Sequence, residues 1–173
     1  MTTIEPARST HHYDGELVVF LIGMTINRPW RPDLWLPAFL AMPTMLRELS
    51  EDEASGLMGY RLTFGWRGPT VIQYWNSVDK LYAYAGDGNA KHRPAWAAFN
   101  RRARKAPGAV GVWHETYPVS RAESVYVGAP AMGLARATAR VPVSQKLSRA
   151  RNRLSRPTST PPRRDSRRDP SKP

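Results

Sequence analysis

Three observations predict an α+β chain of the ferredoxin-like class, βαββαβ, whose antiparallel sheet is covered by helices on one face. Strand-like and helix-like stretches follow one another as strand, helix, strand, strand, helix, strand within roughly 110 residues, the order of the split β-α-β motif. Residues 17–24 (LVVFLIGM) form a continuous apolar run rich in branched side chains, as a central strand covered on both faces requires. Residues 110–119 read as the closing strand, and alternation there divides the polar groups between two faces. Val112, His114 and Thr116 share one of them; Trp113, Glu115 and Tyr117 share the other.

Taken in order, residues 1–13 show no periodic pattern and read as a flexible N-terminal arm outside the domain, which spans 14–143. After the first strand, Asn27, Arg28 and Pro29 interrupt the apolar run. Pro32 and Asp33 open a helix, with proline near the start, where its missing amide does no harm. Trp35, Phe39 and Met42 follow at helical spacing, and Met42, Met45, Leu46 and Leu49 form an i, i+3, i+4, i+7 stripe. Pro37 and Pro43 inside this stretch predict a broken or kinked helix. Residues 56–66 and 70–75 form two strands joined by the turn Arg67-Gly68-Pro69. Ser77 is placed to cap a helix through Leu81 and Tyr84. A last helix runs through Trp96 and Phe99 to Lys105, and its terminal cations offset the helix dipole. Residues 124–127 suggest a short extra strand, and 133–143 an irregular wrap.

The net charge of +12 is unevenly distributed. Residues 144–173 hold ten Lys/Arg against two Asp, a net of +8, which leaves +4 for the remaining 143. This basic segment is poor in apolar side chains and cannot offset its own ordering entropy, so it reads as a disordered tail. A nucleic-acid role would rest on that tail alone, as weak electrostatic contact. The absence of cysteine excludes disulfides, thiolate metal sites and a cysteine nucleophile, and fits a cytoplasmic protein. No apolar run is long enough to span a bilayer, and residues 1–16 lack the basic-then-apolar order of a signal peptide. No membrane partner is therefore expected. Phosphate-cradling glycine loops, dinucleotide fingerprints and nucleophile elbows are also missing.

The chemistry must then come from histidines, carboxylates and aromatic side chains. His114, on a predicted interior strand, is a candidate acid–base group, because imidazole titrates near neutral pH. His92, at the start of the last helix, is its expected partner across a strand–helix gap. Glu115 and Tyr117 are the other polar candidates, although alternation points Glu115 away from His114. No helix carries three metal ligands at suitable spacing, so no metal is expected. Aromatic residues suit a cavity for a flat apolar ligand, with Trp35, Tyr74, Trp75, Trp96 and Trp113 as candidate walls. Asn27, or Tyr117, could hold a substrate oxygen.

These segments resemble a monooxygenase-like family of bacterial and fungal proteins, named for a fungal polyketide monooxygenase, within the dimeric α+β barrel superfamily. The resemblance rests on Trp35-Leu36-Pro37, Ala41-Met42-Pro43, Gln73-Tyr74-Trp75 with Leu81, His92 with Ala95-Trp96 and Phe99-Asn100, and Val112 through Tyr117. It implies a homodimer joined through its sheets and a pocket between sheet and helices. It also implies oxidation of an apolar or aromatic substrate with no cofactor required. A haem held by a histidine, running dehydratase-like or peroxidative chemistry, is the alternative, and a non-catalytic ligand-binding dimer is another.

Overall fold

Register places the candidate residues of the fourth and fifth strands on one of two sheet faces. The computed structural model describes residue 4 and residues 6–86 and 92–155, with the side chains of 92–96 outside that description. In chain order the elements are β1 (Ser9–His12), β2 (Leu17–Ile26), α1 (Pro32–Glu51), β3 (Leu57–Gly65), β4 (Gly68–Trp75), α2 (Val78–Gly86), α3 (His92–Lys105), β5 (Val110–Val119), α4 (Leu134–Ala137), β6 (Ala139–Pro142) and α5 (Ala150–Leu154).

The main sheet has the order β3-β4-β2-β5, with every neighbouring pair antiparallel. This is the ferredoxin-like α+β arrangement, with the apolar run of β2 as an inner strand. Side chains opposite one another in a ladder share a face. Val18 lies opposite Trp75 and Pro118, Phe20 opposite Gln73 and Thr116, and Ile22 opposite Val71 and His114. Val18 and Trp75 pack with Leu49 of α1 and Leu81 of α2, which identifies this as the helix-covered face. The opposite face carries Val19, Leu21 and Gly23 beside Tyr74, Ile72 and Thr70 on one side and Tyr117, Glu115 and Trp113 on the other.

Local chemistry explains most element ends. Ser77 Oγ accepts from the Asp79 and Lys80 backbone amides at 3.1 and 3.4 Å, starting α2 as expected. Gly68 closes the β3–β4 turn because the Met24 carbonyl occupies the place of any Cβ there. The expected break in the first helix does not occur: α1 is continuous across Pro37 and Pro43. Both prolines sit at exposed positions, where carbonyls deprived of a helical partner face water.

The ends of the chain depart furthest from expectation. Residues 9–12, expected within a flexible arm, form β1 and pair antiparallel with β6. Ser9, Thr10 and His11 are buried. Thr10 Oγ1 donates to the Ser124 carbonyl at 2.7 Å, and His11 Nδ1 is hydrogen-bonded to Ser124 Oγ at 2.7 Å. Residues 124–127 contribute only an isolated bridge, Ser9 to Tyr126, and 133–143 form α4 and β6 rather than an irregular wrap. Residues 144–155, expected as disordered tail, include a 3₁₀ turn (Gln145–Leu147) and α5. Arg153 secures them, donating to Glu123 Oε1 at 2.6 Å and to the Leu147 and Ser148 carbonyls at 2.8 and 2.9 Å. The rest of the expected tail, 156–173, lies outside the described residues. The sheet face away from the helices is covered in part, since Ala137 of α4 lies in contact range above Gly59 and Gly133 lies close to the Tyr74 hydroxyl.

Candidate functional site

His114 belongs to the helix-covered face, opposite Ile22. Because β5 is an edge strand, the imidazole remains exposed while its ring lies 5.7 Å from that of Phe20, tilted by 38°. Thr116, half-buried, is the next residue of β5 on that face. The arrangement gives a titratable ring one apolar wall and one open approach, which suits proton exchange with a bound molecule. His92 is the first residue of α3. Its side chain and that of Trp96 lie outside the described residues, as does the expected His92–His114 pairing.

Glu115, Tyr117 and Trp113 occupy the other face, as alternation predicted. Tyr117 donates its hydroxyl to Glu115 Oε2 at 2.6 Å. That bond raises the Tyr117 pKa above the usual phenol value, with lesser contributions from desolvation and from the neighbouring negative charge. Trp113 lays its indole over Gly23, where the lack of a Cβ makes room for it. None of the three can act on a substrate held beside His114, because the sheet separates them.

The remaining candidates are spread through the fold. Trp75, expected as a ligand wall, is fully buried core. Its Nε1 donates to Gln73 Oε1 at 2.9 Å, and its ring meets Tyr84 at 5.8 Å. Asn27 ties loops together, donating Nδ2 to the Gly108 carbonyl at 3.0 Å and accepting from Arg67 at 3.3 Å, so its amide is already engaged. Trp35 donates to the Pro29 carbonyl at 3.2 Å and stacks edge-on with Phe39, which in turn meets Phe64 of β3. Tyr74 lies on the opposite face from His114; burial first, and Tyr126 second, raise its pKa, while Arg61 works against them. Among the described residues no group of three or more His, Cys, Asp or Glu could hold a metal ion.

A family model described as Monooxygenase af470-like matches residues 17–134. The chain belongs to the Monooxygenase af470-like family. The matched span contains the whole main sheet and α1 to α3, and excludes β1, β6 and α5. No curated protein sequence matches the chain. Several solved structures are similar in shape. A conserved protein from Methanosarcina mazei aligns with a TM-score of 0.43 at 9% identity, covering 59% of this chain and 92% of that one. A dimeric ferredoxin-like protein of unknown function from Thermobifida fusca aligns at 0.39 and 15% identity, covering 62% and 95%. SnoaB, a cofactor-independent oxygenase from Streptomyces nogalater, aligns at 0.35 and 14% identity, covering 62% and 96%.

Sequence reasoning missed Phe20 as the ring beside His114 in this Monooxygenase af470-like chain. Nothing marks Phe20 apart from its neighbours in an apolar run, and only the β2–β5 register brings it to that position.

Proposed function

We propose that the protein is a cytoplasmic, homodimeric, small-molecule monooxygenase-like enzyme that needs no cofactor and acts on an apolar hydroxyaromatic or polyketide-like substrate. The observation that carries the reading is the position of His114, exposed on the helix-covered face with the Phe20 ring beside it. In this reading the substrate ring lies against Phe20 and its hydroxyl proton passes to the imidazole. The resulting anion is electron-rich enough to give one electron to dioxygen. Recombination of the radical pair forms a carbon–oxygen bond as a peroxide. The peroxide takes back the imidazolium proton. Loss of water together with the hydrogen of the same carbon then breaks the O–O bond and leaves one oxygen atom on the substrate as a carbonyl, all the electrons coming from the substrate. His92 and Trp96, from the first turns of α3, are proposed to complete the base and the wall. Glu115 and Tyr117 take no part in it, being on the other face.

The test is oxygen consumption over a panel of hydroxyaromatics by wild type, His114→Ala and His92→Ala. Turnover by wild type that falls 10²-fold or more in His114→Ala, the scale of general-base catalysis, supports the reading. Equal turnover in all three removes both histidines from the mechanism. A haem titration accompanies it, and a Soret band that disappears in His114→Ala would favour the haem-ligand reading instead.

A further inference from the structure

One end of the main sheet is strongly basic. β2 runs from Leu17, opposite Val119, to Ile26, opposite Val110. The Leu17 end carries both signs, with Asp14, Glu16, Glu51, Asp52, Glu53 and Asp79 beside Arg47, Lys80 and Arg121, and with Arg153 paired to Glu123 close by. At the Ile26 end three loops are bound together. Ile26 N donates to the Arg67 carbonyl at 2.7 Å, and Asn27 N and Arg28 N donate to the Ala109 carbonyl at 3.0 and 3.2 Å. These loops and the adjoining end of α3 carry Arg28, Arg31, Arg67, Arg102, Arg104 and Lys105. Among the described residues there, only Asp33 opposes them, and it is held by Arg31 at 2.7 Å.

The same end exposes large apolar side chains. Trp66 is 93% exposed, Trp30 72%, Phe64 67% and Leu40 62%. Trp30 and Trp66 sit on the two loops bridged by the Arg67–Asn27 hydrogen bond. Phe64 joins α1 through Phe39, with ring centroids 6.1 Å apart. Exposed apolar residues clustered this way mark an interaction surface, whereas scattered ones do not.

We propose that this end docks the protein onto an anionic lipid surface. Tryptophan at a loop tip suits the headgroup boundary, because its body is apolar and its N–H can remain hydrated. The surrounding cations complement acidic headgroups, and Leu40 and Phe64 gain an apolar medium. Nucleic acid would stack on the aromatic rings but leave Leu40 in water. A two-fold pairing of this end with a second copy would bring two basic surfaces together. No described helix is long and apolar enough to cross a membrane, so the protein would lie on the bilayer. The proposal is independent of the reaction proposed above.

Sedimentation of the full chain with vesicles tests it, using phosphatidylcholine alone or with about 30 mol% phosphatidylserine to supply the anionic surface potential. Binding is expected only to the anionic vesicles, with Arg104→Ala and Lys105→Ala each lowering the partition coefficient about fivefold. The Trp30→Ala/Trp66→Ala variant, checked for folding by circular dichroism, is expected to lose most binding although its basic 144–173 segment is intact. Absence of binding overturns the proposal, as does binding that the tryptophan variant leaves unchanged, which would assign it to that segment. Vesicles left unbound, while the same variant loses self-association or single-stranded DNA binding, would also overturn it.

Discussion

Trp75→Phe tests whether this side chain is core or ligand wall. Trp75 is fully buried, packed with Val18, Leu49 and Leu81, and donates its indole N–H to Gln73 Oε1. Phenylalanine keeps the apolar ring but leaves a void where the indole extended. On the scale of large-to-small core changes that void costs about 1–2 kcal/mol. Gln73, itself 6% exposed, loses the donor to its carbonyl oxygen. A buried acceptor without a partner adds about 1–3 kcal/mol, for a total near 3 kcal/mol. Urea unfolding followed by circular dichroism should show a lower midpoint with an unchanged slope. Adding Gln73→Met removes the stranded carbonyl and should recover about 1–2 kcal/mol, so the double variant is less destabilised than the sum of the singles. A Trp75→Phe protein within about 0.5 kcal/mol of wild type, or strictly additive single changes, would show that Trp75 is not a core residue bonded to Gln73.

Arg153→Ala strands the Glu123 carboxylate and two carbonyls, so the segment around 144–155 should open more easily by about 3 kcal/mol; hydrogen exchange should show faster amides there and in β1 while β2 and β4 stay protected. Gly23→Ala places a methyl group inside the Trp113 indole and should cost about 1–3 kcal/mol, a loss that Trp113→Ala relieves in thermal melts. Ionising Tyr117 would break its bond to Glu115 and put a second negative charge beside the carboxylate, which is why its pKa is raised. In a spectrophotometric pH titration Glu115→Gln should therefore let one tyrosine ionise at lower pH, and no change would contradict the assignment.

The sheet was legible because its signals are local. The apolar run of β2, the alternation of β5 and the two-strand hairpin each report a backbone period that survives folding. Those periods also divided His114 and Thr116 from Glu115 and Tyr117, and the register agrees. They could not say which face the helices cover, since that depends on Leu49 and Leu81 meeting Val18 and Trp75. The clasp at the chain ends was illegible for another reason. Ser9, Thr10, His11, Ser124, Glu123 and Arg153 form it through polar contacts, most of them spanning over a hundred residues of sequence, and polar residues in such stretches read as solvated. Trp75 was misread because an aromatic side chain is equally apt for a cavity wall and a core until its surroundings are known.

In the proposed reaction, chemistry belongs to the helix-covered face of β5 and not to its reverse. The direct test is kcat/KM for oxygen-dependent turnover of a hydroxyaromatic substrate by His114→Ala and Tyr117→Phe, two side chains three residues apart on opposite faces of one strand. A fall of 10²-fold or more in His114→Ala, with Tyr117→Phe within about twofold of wild type, is the predicted result. The reverse order would move the reaction to the Glu115–Tyr117 face and away from His114.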